Sequence, residues 1–418
     1  MLIFVSDIHL SDGSSGETIH PGAFKKFGIY AKDMAETAGA KQVEVVFLGD
    51  IFDVIRSERW LATDIRPWSP PDFQDGNEHN QEYHVLAIVN AILAEEKNRL
   101  ALQHLADFRK AMESKGIPVT FTYIVGNHDW LINRYQSARD AVANALGLHV
   151  PAPPFLTEKM WQAYGVFARH GDIHDPYNFE GDRDASSLGD AIVVDLLNRF
   201  PSTVEASIGV ASDPSFMKEL REIDNVRPLV DIPQWIEGAC RKAKSKANAE
   251  VAKREWNRLV DDFLRIPFVQ QHEKFWWPDR LDRLEAGLRL SKHISLGVLS
   301  KAPLRLFQPS GHEYQDGAFR EESLRANEVQ SVVYGHTHEY LIQPLDIVAA
   351  TTGPIQKKYF NTGTWRKVHV RAAHDPSREE FMSWHVMTFV AFYLTAERPD
   401  TSYEKRNITF EVWNGALG

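Results

Sequence analysis

Short apolar runs that end abruptly in polar, ligand-forming residue types constrain the fold of this chain most strongly. In residues 119–125 (VTFTYIV), apolar side chains alternate with threonines and Ile124, which is the pattern of a β-strand. The sequence GNHD follows directly at 126–129. Glycine permits a tight turn, and Asn and Asp are also ordinary turn residues. Taken alone, the stretch therefore fits either a polar turn or a ligand site at a strand end.

The same arrangement recurs four more times along the chain, after apolar runs at 1–6, 43–48, 164–169 and 331–334. Polar residues follow each run at once. In open α/β sheets, ligands bind at the carboxyl ends of the strands. We therefore expect one site to gather the side chains of Asp7, His9, Asp50, Asn127, His128, His170, His336 and His338.

The segments between these runs indicate the class of fold. Helical periodicity at 24–38, 83–115 and 131–146 separates the predicted strands, which favours the α/β class. The rest of the chain after His338, through residues 359–365 and the alternating runs 381–396 and 407–413, looks like an antiparallel meander.

Residues 57–82 have no periodicity and are rich in Pro, Asp and Trp, so they are predicted to form a long excursion of functional importance. Because this loop follows the strand end that carries Asp50, Trp60 and Trp68 are candidates for lining a substrate groove. The alternative is that both rings pack the loop onto the body of the protein.

Between residues 183 and 328 the pattern changes to helices alone. We interpret this segment as a helical insertion or lid, with a core formed by 1–182 and 329–418. Residues 241–258 contain seven Lys or Arg against two Glu. Such a run is usually a solvated helix face, and contact with a phosphate-rich partner or an anionic membrane surface is the alternative.

Composition excludes several classes. The longest apolar run, Val386–Leu394, is far shorter than the roughly 20 residues of a membrane-spanning helix. No basic segment or cleavage site precedes the first strand, so a cytoplasmic location is expected. Cys240 is the only cysteine, which excludes an internal disulfide and a thiolate metal cage. The net charge of -10 argues weakly against a dedicated nucleic-acid binder.

Carboxylate, amide and imidazole ligands without sulfur suit manganese, iron or zinc better than calcium. The candidate ligands outnumber what one ion uses. Two divalent ions about 3.5–4 Å apart that share a carboxylate would use them all, and such pairs catalyse in-line displacement at phosphorus. Asp50, a lone carboxylate on a central strand, is the expected bridge. We expect manganese to be the ion that supports activity in vitro.

These motifs and their order resemble the calcineurin-like metallophosphoesterase superfamily: Asp7-x-His9, Gly49-Asp50-x-x-Asp53, Gly126-Asn127-His128-Asp129, His170 and Gly335-His336-Thr337-His338. The resemblance spans 1–182 and 329–418. It implies an α/β fold in which two mixed β-sheets pack face to face between helices, as a four-layer sandwich.

The resemblance also implies roles for the site residues. It assigns one metal ion to Asp7, His9, Asp50 and His338, and the other to Asp50, Asn127, His170 and His336. His128 then contacts the substrate as a general acid for the leaving group, and Asp53 orients it.

Within the superfamily, residues 49–53, residues 170–172 and the insertion look most similar to the UDP-2,3-diacylglucosamine hydrolases. His128 stands where that branch usually carries arginine. In the phosphoprotein phosphatase branch an arginine follows the position of Asp53, and this chain has Val54 there. Further candidates for contacts with the substrate are Arg56, the Lys357–Lys358 pair and His174, together with Trp60 and Trp68.

The sequence thus predicts a phosphoesterase that depends on a dinuclear metal centre. It would hydrolyse a phosphodiester, pyrophosphate or phosphomonoester bond by attack of a metal-bridging hydroxide. The expected partner is a phosphorylated small molecule or a lipid-linked substrate, and peripheral contact with a membrane stays open. One alternative is a nuclease, which the acidic net charge disfavours. The other is a catalytically silent scaffold with the same fold.

Overall fold

The computed structural model describes residues 1–209, 213–272, 288, 311–349, 353–372, 380–397 and 410–417. Within these residues, twelve β-strands form two mixed sheets, and helices lie against them. None of the helices in the described ranges is long and apolar enough to cross a membrane.

The first sheet contains seven strands in the order β3-β2-β1-β11-β10-β6, with β12 also paired to β11. Strands β1, β2 and β3 are parallel, and β11 runs antiparallel to β1. The bounds are β1 Leu2–Val5, β2 Val43–Leu48, β3 Val119–Ile124, β6 Val226–Arg227, β10 Lys367–Arg371, β11 Phe381–Phe392 and β12 Phe410–Leu417.

The second sheet contains five strands in the order β4-β5-β7-β9-β8. Its three central strands β5, β7 and β9 are parallel, and the two edge strands are antiparallel to their neighbours. The bounds are β4 Glu158–Trp161, β5 Val166–Arg169, β7 Ser331–Tyr334, β8 Tyr340–Val348 and β9 Ile355–Thr362.

The two sheets share one apolar core. Phe4 and Leu48 from the first sheet lie in the same buried cluster as Trp161, Val333 and Phe360 from the second. The Phe4 and Trp161 rings meet edge to face with centroids 5.2 Å apart, a geometry that adds to the hydrophobic gain of burial. The predicted α/β class with two mixed sheets is confirmed.

The helices of the described ranges occupy the outer sides of the sheets and the segment between residues 188 and 325. Seven π-helical residues, Ile192–Asn198, join α6 to α7. The bounds are α1 Gly22–Thr37, α2 Gln81–Ala94, α3 Glu96–Glu113, α4 Trp130–Arg134, α5 Gln136–Leu146, α6 Leu188–Ala191, α7 Arg199–Ile208, α8 Pro214–Leu220, α9 Ile232–Lys242, α10 Lys246–Phe263, α11 Pro267–Gln270, α12 Gly311–Arg320 and α13 Glu322–Arg325.

The prediction of a single long helix over 83–115 was wrong, because this segment forms two helices, α2 and α3. Glu95 adopts an extended conformation and its carboxylate accepts the backbone N–H of Asn98, which starts a new helix. The Asn98 amide is buried and donates to the carbonyl oxygens of Ile92 and Ser11. The spacing of apolar residues does not reveal a helix cap of this kind, so the break could not be predicted from it.

Two predictions about strands also need correction. The segment 183–328 is not helical throughout, since β6 lies within it and pairs in parallel with β10. The strands after Tyr340 do not form one meander: β8 and β9 belong to the second sheet, and β10, β11 and β12 to the first. Antiparallel pairing within each group is as predicted.

The basic run at 241–258 covers the end of α9 and most of α10, and several of its cations are neutralised locally. Lys242 pairs with Glu219 at 2.6 Å, and Lys253 pairs with Glu237 at 2.8 Å. Arg258 pairs with Asp262 at 3.0 Å. Such pairs fit the interpretation of a solvated helix face.

Candidate metal centre

Pairing between parallel strands brings the predicted ligands to one place. The loops after β1 and β2 are joined by hydrogen bonds from the Asp7 N–H to the Gly49 carbonyl (3.1 Å) and from the His9 N–H to the Asp50 carbonyl (2.9 Å). In the second sheet, the Gly335 N–H donates to the His170 carbonyl at 2.8 Å. Between the sheets, the His336 N–H donates to Asp7 Oδ2 at 2.9 Å and the His170 Nδ1 lies 2.8 Å from the Leu48 carbonyl oxygen, so the strand ends of the two sheets face each other.

The first ligand group consists of Asp7, His9 and His338, whose ligand atoms all lie within 4.8 Å of one another. His338 Nε2 is 3.3 Å from Asp7 Oδ1 and 3.0 Å from His9 Nε2. All three side chains are buried or nearly so. One ion could contact all three.

The second group consists of Asp50, His170 and His336. His170 Nε2 lies 3.2 Å from Asp50 Oδ2, and His9 Nε2 of the first group lies 3.8 Å from the same oxygen. Asp50 thus stands between the two groups. Asp175, whose Oδ2 is 3.0 Å from His336 Nε2, adds a carboxylate that was not singled out as a site residue in the sequence.

The donor atoms fit a pair of cations. Three buried polar atoms in the centre have no hydrogen-bond partner: Asp7 Oδ1, Asn127 Oδ1 and His170 Nε2. Buried polar atoms are rarely left unsatisfied in native proteins, and an ion that binds there is one explanation for each exception. The Asn127 amide nitrogen donates to Asn178 Oδ1 at 3.2 Å, which leaves its oxygen free for a cation.

Hydrogen bonds behind the ligands fix which imidazole nitrogen is available. His170 Nδ1 lies 2.8 Å from the Leu48 carbonyl oxygen and must donate to it, so Nε2 is the nitrogen left to bind a metal ion. His9 Nδ1 lies 2.8 Å from Asp53 Oδ2, which directs its Nε2 at the first group. This carboxylate–histidine arrangement is how proteins orient imidazoles on a metal ion.

Asp53 contacts two histidines. Its Oδ1 atom is 2.8 Å from His128 Nδ1, and Oδ2 holds His9. The His9 and His128 rings meet edge to face at 4.8 Å. His128 keeps Nε2 for other contacts, and 14 % of its side chain is exposed. Asp53 was predicted to orient only His128, whereas the structure gives it a second partner in the first ligand group.

Asp129 connects the loops that follow β2 and β3. Its carboxylate accepts hydrogen bonds from the Gly126 N–H, the Ile51 N–H (3.1 Å) and the Tyr123 hydroxyl (2.6 Å), and it is fully buried. It therefore links the loops after β2 and β3, behind the ligands.

The backbone at the centre is strained. Of the seven non-glycine residues with positive φ in the described ranges, five are predicted ligands: Asp7, His9, Asp50, His336 and His338, with φ between 50° and 72°. This conformation costs an L-residue about 1–2 kcal/mol. Such outliers persist where the surrounding structure enforces them, and they concentrate at functional sites.

Gly49 allows the end of β2 to pass close to His170, and its substitution is expected to destabilise the protein. Its φ is +84°, and a Cβ there would collide with the His170 ring. We expect Gly49→Ala to lower the free energy of unfolding by about 2–4 kcal/mol, through overpacking and backbone strain. Urea denaturation measures this. Gly39→Ala is the control, because Gly39 has φ +63° with no atom near the added Cβ; equal losses in both variants would contradict the packing argument.

The charges of the centre shift several pKa values. Burial raises the pKa of Asp7 to about 6 and lowers that of His9 to about 4. Burial also acts to lower the pKa values of His128 and His170, but the carboxylates of Asp53 and Asp50 outweigh it and raise both to about 10. Bound cations would act in the opposite direction on the histidines. A cluster of strongly perturbed groups is typical of a functional site.

Three arginines beside the centre were not recognised as a set in the sequence. Arg227 Nη2 lies 2.9 Å from His338 Nδ1, and its Nη1 donates to the Asp224 carbonyl oxygen. Arg366 and Arg56 approach Asp224 Oδ2 at 2.8 and 3.4 Å. Of the three, Arg227 contacts a predicted ligand directly. It comes from the two-residue strand β6, for which the sequence carried no signal.

Trp60 and Trp68, the two aromatic candidates for substrate contact, pack against other parts of the chain. Trp60 has no exposed surface and donates its indole N–H to the Val54 carbonyl at 2.7 Å, so it packs the loop onto the body. Trp68 stacks on Phe268 at 4.9 Å. It lines a cavity of about 390 Å³, and none of the metal-centre residues contributes to that lining.

The other candidates are a buried arginine, a lysine pair far from the ligands and a partly buried histidine. Arg56 is 1 % exposed and is directed at Asp224. In the pairing of β7 with β9, Lys358 lies opposite Ser331, at the amino end of β7. The Lys357–Lys358 pair is therefore roughly 15 Å from the site, measured along the strands. His174 contacts the Tyr334 hydroxyl at 3.1 Å, and burial lowers its pKa to about 4.

Comparison with protein-family models and with curated proteins finds no match for this chain. No model of a known protein family matches the sequence, and no curated protein matches it significantly. The function is therefore inferred from the site itself.

Proposed function

We propose that this chain is a metal-dependent phosphoesterase of the calcineurin-like type, which hydrolyses a phosphodiester, pyrophosphate or phosphomonoester bond at a centre for two divalent ions. The observation that carries the proposal is the position of Asp50 between two groups of ligand atoms, with Oδ2 at 3.2 Å from His170 and 3.8 Å from His9. A carboxylate between two ligand sets is the arrangement of a two-metal site.

The donor atoms fall into two sets, one for each ion. Asp7, His9, Asp50 and His338 would bind one, and Asp50, Asn127, His170 and His336 the other. Manganese, iron and zinc all suit these oxygen and nitrogen donors. Bound there, two divalent ions would lower the pKa of water and offset the charge that develops on phosphoryl oxygens.

The remaining side chains would handle the proton and the orientation of the substrate. His128, held at Nδ1 by Asp53, presents Nε2 as a donor for the oxygen of the leaving group. Asp53 holds His9 at the same time, so the proton donor and the first ligand group are fixed by one carboxylate. A phosphoryl oxygen that approaches the centre would meet the guanidinium of Arg227.

The insertion 183–328 is proposed to act as a lid. It supplies Asp224 and Arg227 next to the ligands, and β6 fastens this part of it to the first sheet. A lid so placed would exclude water and choose among substrates.

The proposed contact between Arg227 and the substrate can be tested by substitution. We expect Arg227→Gln to raise KM for bis(p-nitrophenyl) phosphate about tenfold or more with a smaller change in kcat, because a hydrogen bond to a charged group contributes about 1.5–3 kcal/mol. Arg254→Gln, on an exposed face of α10, is the control. An unchanged KM in the Arg227 variant would remove Arg227 from the substrate site.

The reaction class is tested with metal-stripped protein that is reloaded with manganese, iron or zinc. Turnover is measured on a monoester, a diester, a nucleotide and a nucleotide-sugar pyrophosphate. We expect metal-dependent release of product from at least one. A fully metal-loaded protein that turns over none of them would favour the silent scaffold.

The basic run gives the nuclease alternative little support, because Lys242, Lys253 and Arg258 pair with carboxylates. A nuclease would bind nucleic acid with an affinity that falls steeply as salt rises, since phosphate contacts release counterions. Weak binding with a flat salt dependence is the expected result for this chain.

A further inference from the structure

A second cluster of ligand-forming side chains lies in the long excursion, and it shares no residue with the centre described above. It consists of Asp75, His79 and His84, whose ligand atoms all lie within 4.8 Å of one another. Asp75 and His79 belong to the loop, whereas His84 is in the first turn of α2. The sequence pattern D-x3-H-x4-H gave no reason to connect them.

The loop is built so that one oxygen of Asp75 faces both imidazoles. Oδ1 accepts the backbone N–H groups of Asn77 (2.8 Å) and His79 (3.0 Å), which fixes the orientation of the carboxylate. Oδ2 is then left 3.0 Å from His84 Nε2 and 3.7 Å from His79 Nδ1. The carboxylate is thus held in place by the backbone of its own loop.

The two imidazoles are also positioned. The His79 ring stacks on Tyr83, with centroids 3.8 Å apart and an interplanar angle of 8°. His84 is fixed by α2, which begins at Gln81 with Asn80 as its cap. The side chain of His84 is 11 % exposed, and that of His79 is 38 % exposed, so the cluster is enclosed on one side and open to solvent on the other.

The two distances from Asp75 Oδ2 are close to those between ligands of a tetrahedral zinc ion. Zinc ligands at about 2.0–2.1 Å from the metal are roughly 3.3 Å from each other in tetrahedral geometry. The separations of 3.0 and 3.7 Å lie on either side of that value. A hydrogen bond between Asp75 and His84 accounts for the first distance, but 3.7 Å is too long for a hydrogen bond from His79.

The geometry points to a zinc-binding site formed by Asp75, His79 and His84, with water in the fourth position. Two imidazoles and one carboxylate favour zinc over calcium or magnesium, which prefer sets of oxygen ligands. The bound ion would fasten the loop to α2. Gln81 of α2 accepts from Arg134 Nη1 (2.8 Å) and the Tyr135 hydroxyl (2.7 Å), so the fastened helix supports the segment after His128.

The test uses metal-stripped full-length protein titrated with zinc in competition with a chelating dye. We expect His84→Asn and His79→Gln each to lose one tight zinc equivalent, or to bind it about 100-fold or more weakly, with the other equivalents unchanged. Removal of a ligand should cost at least as much as the 10–100-fold typical of a lost supporting contact. His149→Gln, which changes an exposed histidine outside the cluster, is the control and should match the unchanged protein.

Two further measurements separate this site from the proposed phosphoesterase centre. The Asp50→Asn variant should keep the zinc equivalent that depends on His84, because no ligand is shared. Zinc should also raise Tm of the Asp50→Asn variant, and this increase should disappear when His79→Gln is added. Unchanged stoichiometry and affinity in the His79→Gln variant, whose site is partly exposed, would overturn the zinc site, whatever the outcome of the activity assays.

Discussion

Replacing Asp50 with asparagine is expected to reduce manganese-dependent hydrolysis of bis(p-nitrophenyl) phosphate by about a thousandfold or more. Metal ions contribute several kcal/mol of transition-state stabilisation, and each 1.36 kcal/mol corresponds to a factor of ten in rate. A neutral amide in place of the carboxylate removes the one anionic oxygen that faces both ligand groups. Fewer than two manganese ions should then bind tightly per chain.

The loss at Asp50 can be separated from misfolding. The other oxygen, Oδ1, accepts the His128 N–H at 2.9 Å, and an asparagine can keep this contact through its own carbonyl oxygen. Circular dichroism and the urea midpoint should therefore change little. Asp64→Asn, an exposed acid in the excursion, is the matched control. Full turnover in Asp50→Asn would show that Asp50 is not the bridging ligand.

Replacing His128 with alanine is expected to slow hydrolysis in a way that depends on the leaving group. General acids contribute about 10²–10⁴-fold where the departing oxygen needs a proton. Alkyl esters should therefore lose about a hundredfold or more in kcat, whereas p-nitrophenyl esters, which leave as stable phenolates, should lose much less. The measurement is kcat for the two kinds of ester, with His149→Ala as the control.

Asp53→Asn provides a contrast to His128→Ala. Because Asp53 holds both His9 and His128, its loss should slow alkyl and p-nitrophenyl esters alike and should also weaken metal binding. If His128→Ala slowed both esters equally while Asp53→Asn spared metal binding, the division of roles between these residues would be wrong.

Much of the layout of the strands could be predicted from local pattern. The alternation in 119–125 and the continuous apolar runs at 1–6 and 43–48 predict buried strands, and these correspond to β3, β1 and β2. The breaks at Glu95 and Tyr135 could not be predicted in the same way, since apolar periodicity continues across both positions. Their positions depend on local hydrogen bonding and backbone geometry that hydrophobic spacing does not record.

The proximity of the candidate ligands could be predicted for a related reason. Strand ends are visible in sequence, and the parallel order of β1, β2 and β3 brings three such ends to one edge. The double contact of Asp53 with His9 and His128 was not predictable, because it depends on how two loops approach each other. Nor was Arg227, which reaches His338 from a two-residue strand 111 residues away in the chain.

The sequence by itself determined the residue types at the strand ends, VTFTYIV followed by GNHD among them, because short-range periodicity and turn chemistry are local properties. Only the tertiary structure decided that His9 and His170 both approach Asp50 Oδ2 and that Asp75 faces His79 and His84. It also decided which tryptophans are buried. The physical reason is that metal geometry and ion pairing depend on distances of a few ångströms between segments, which are set by the packing of the two sheets and by loop hydrogen bonds.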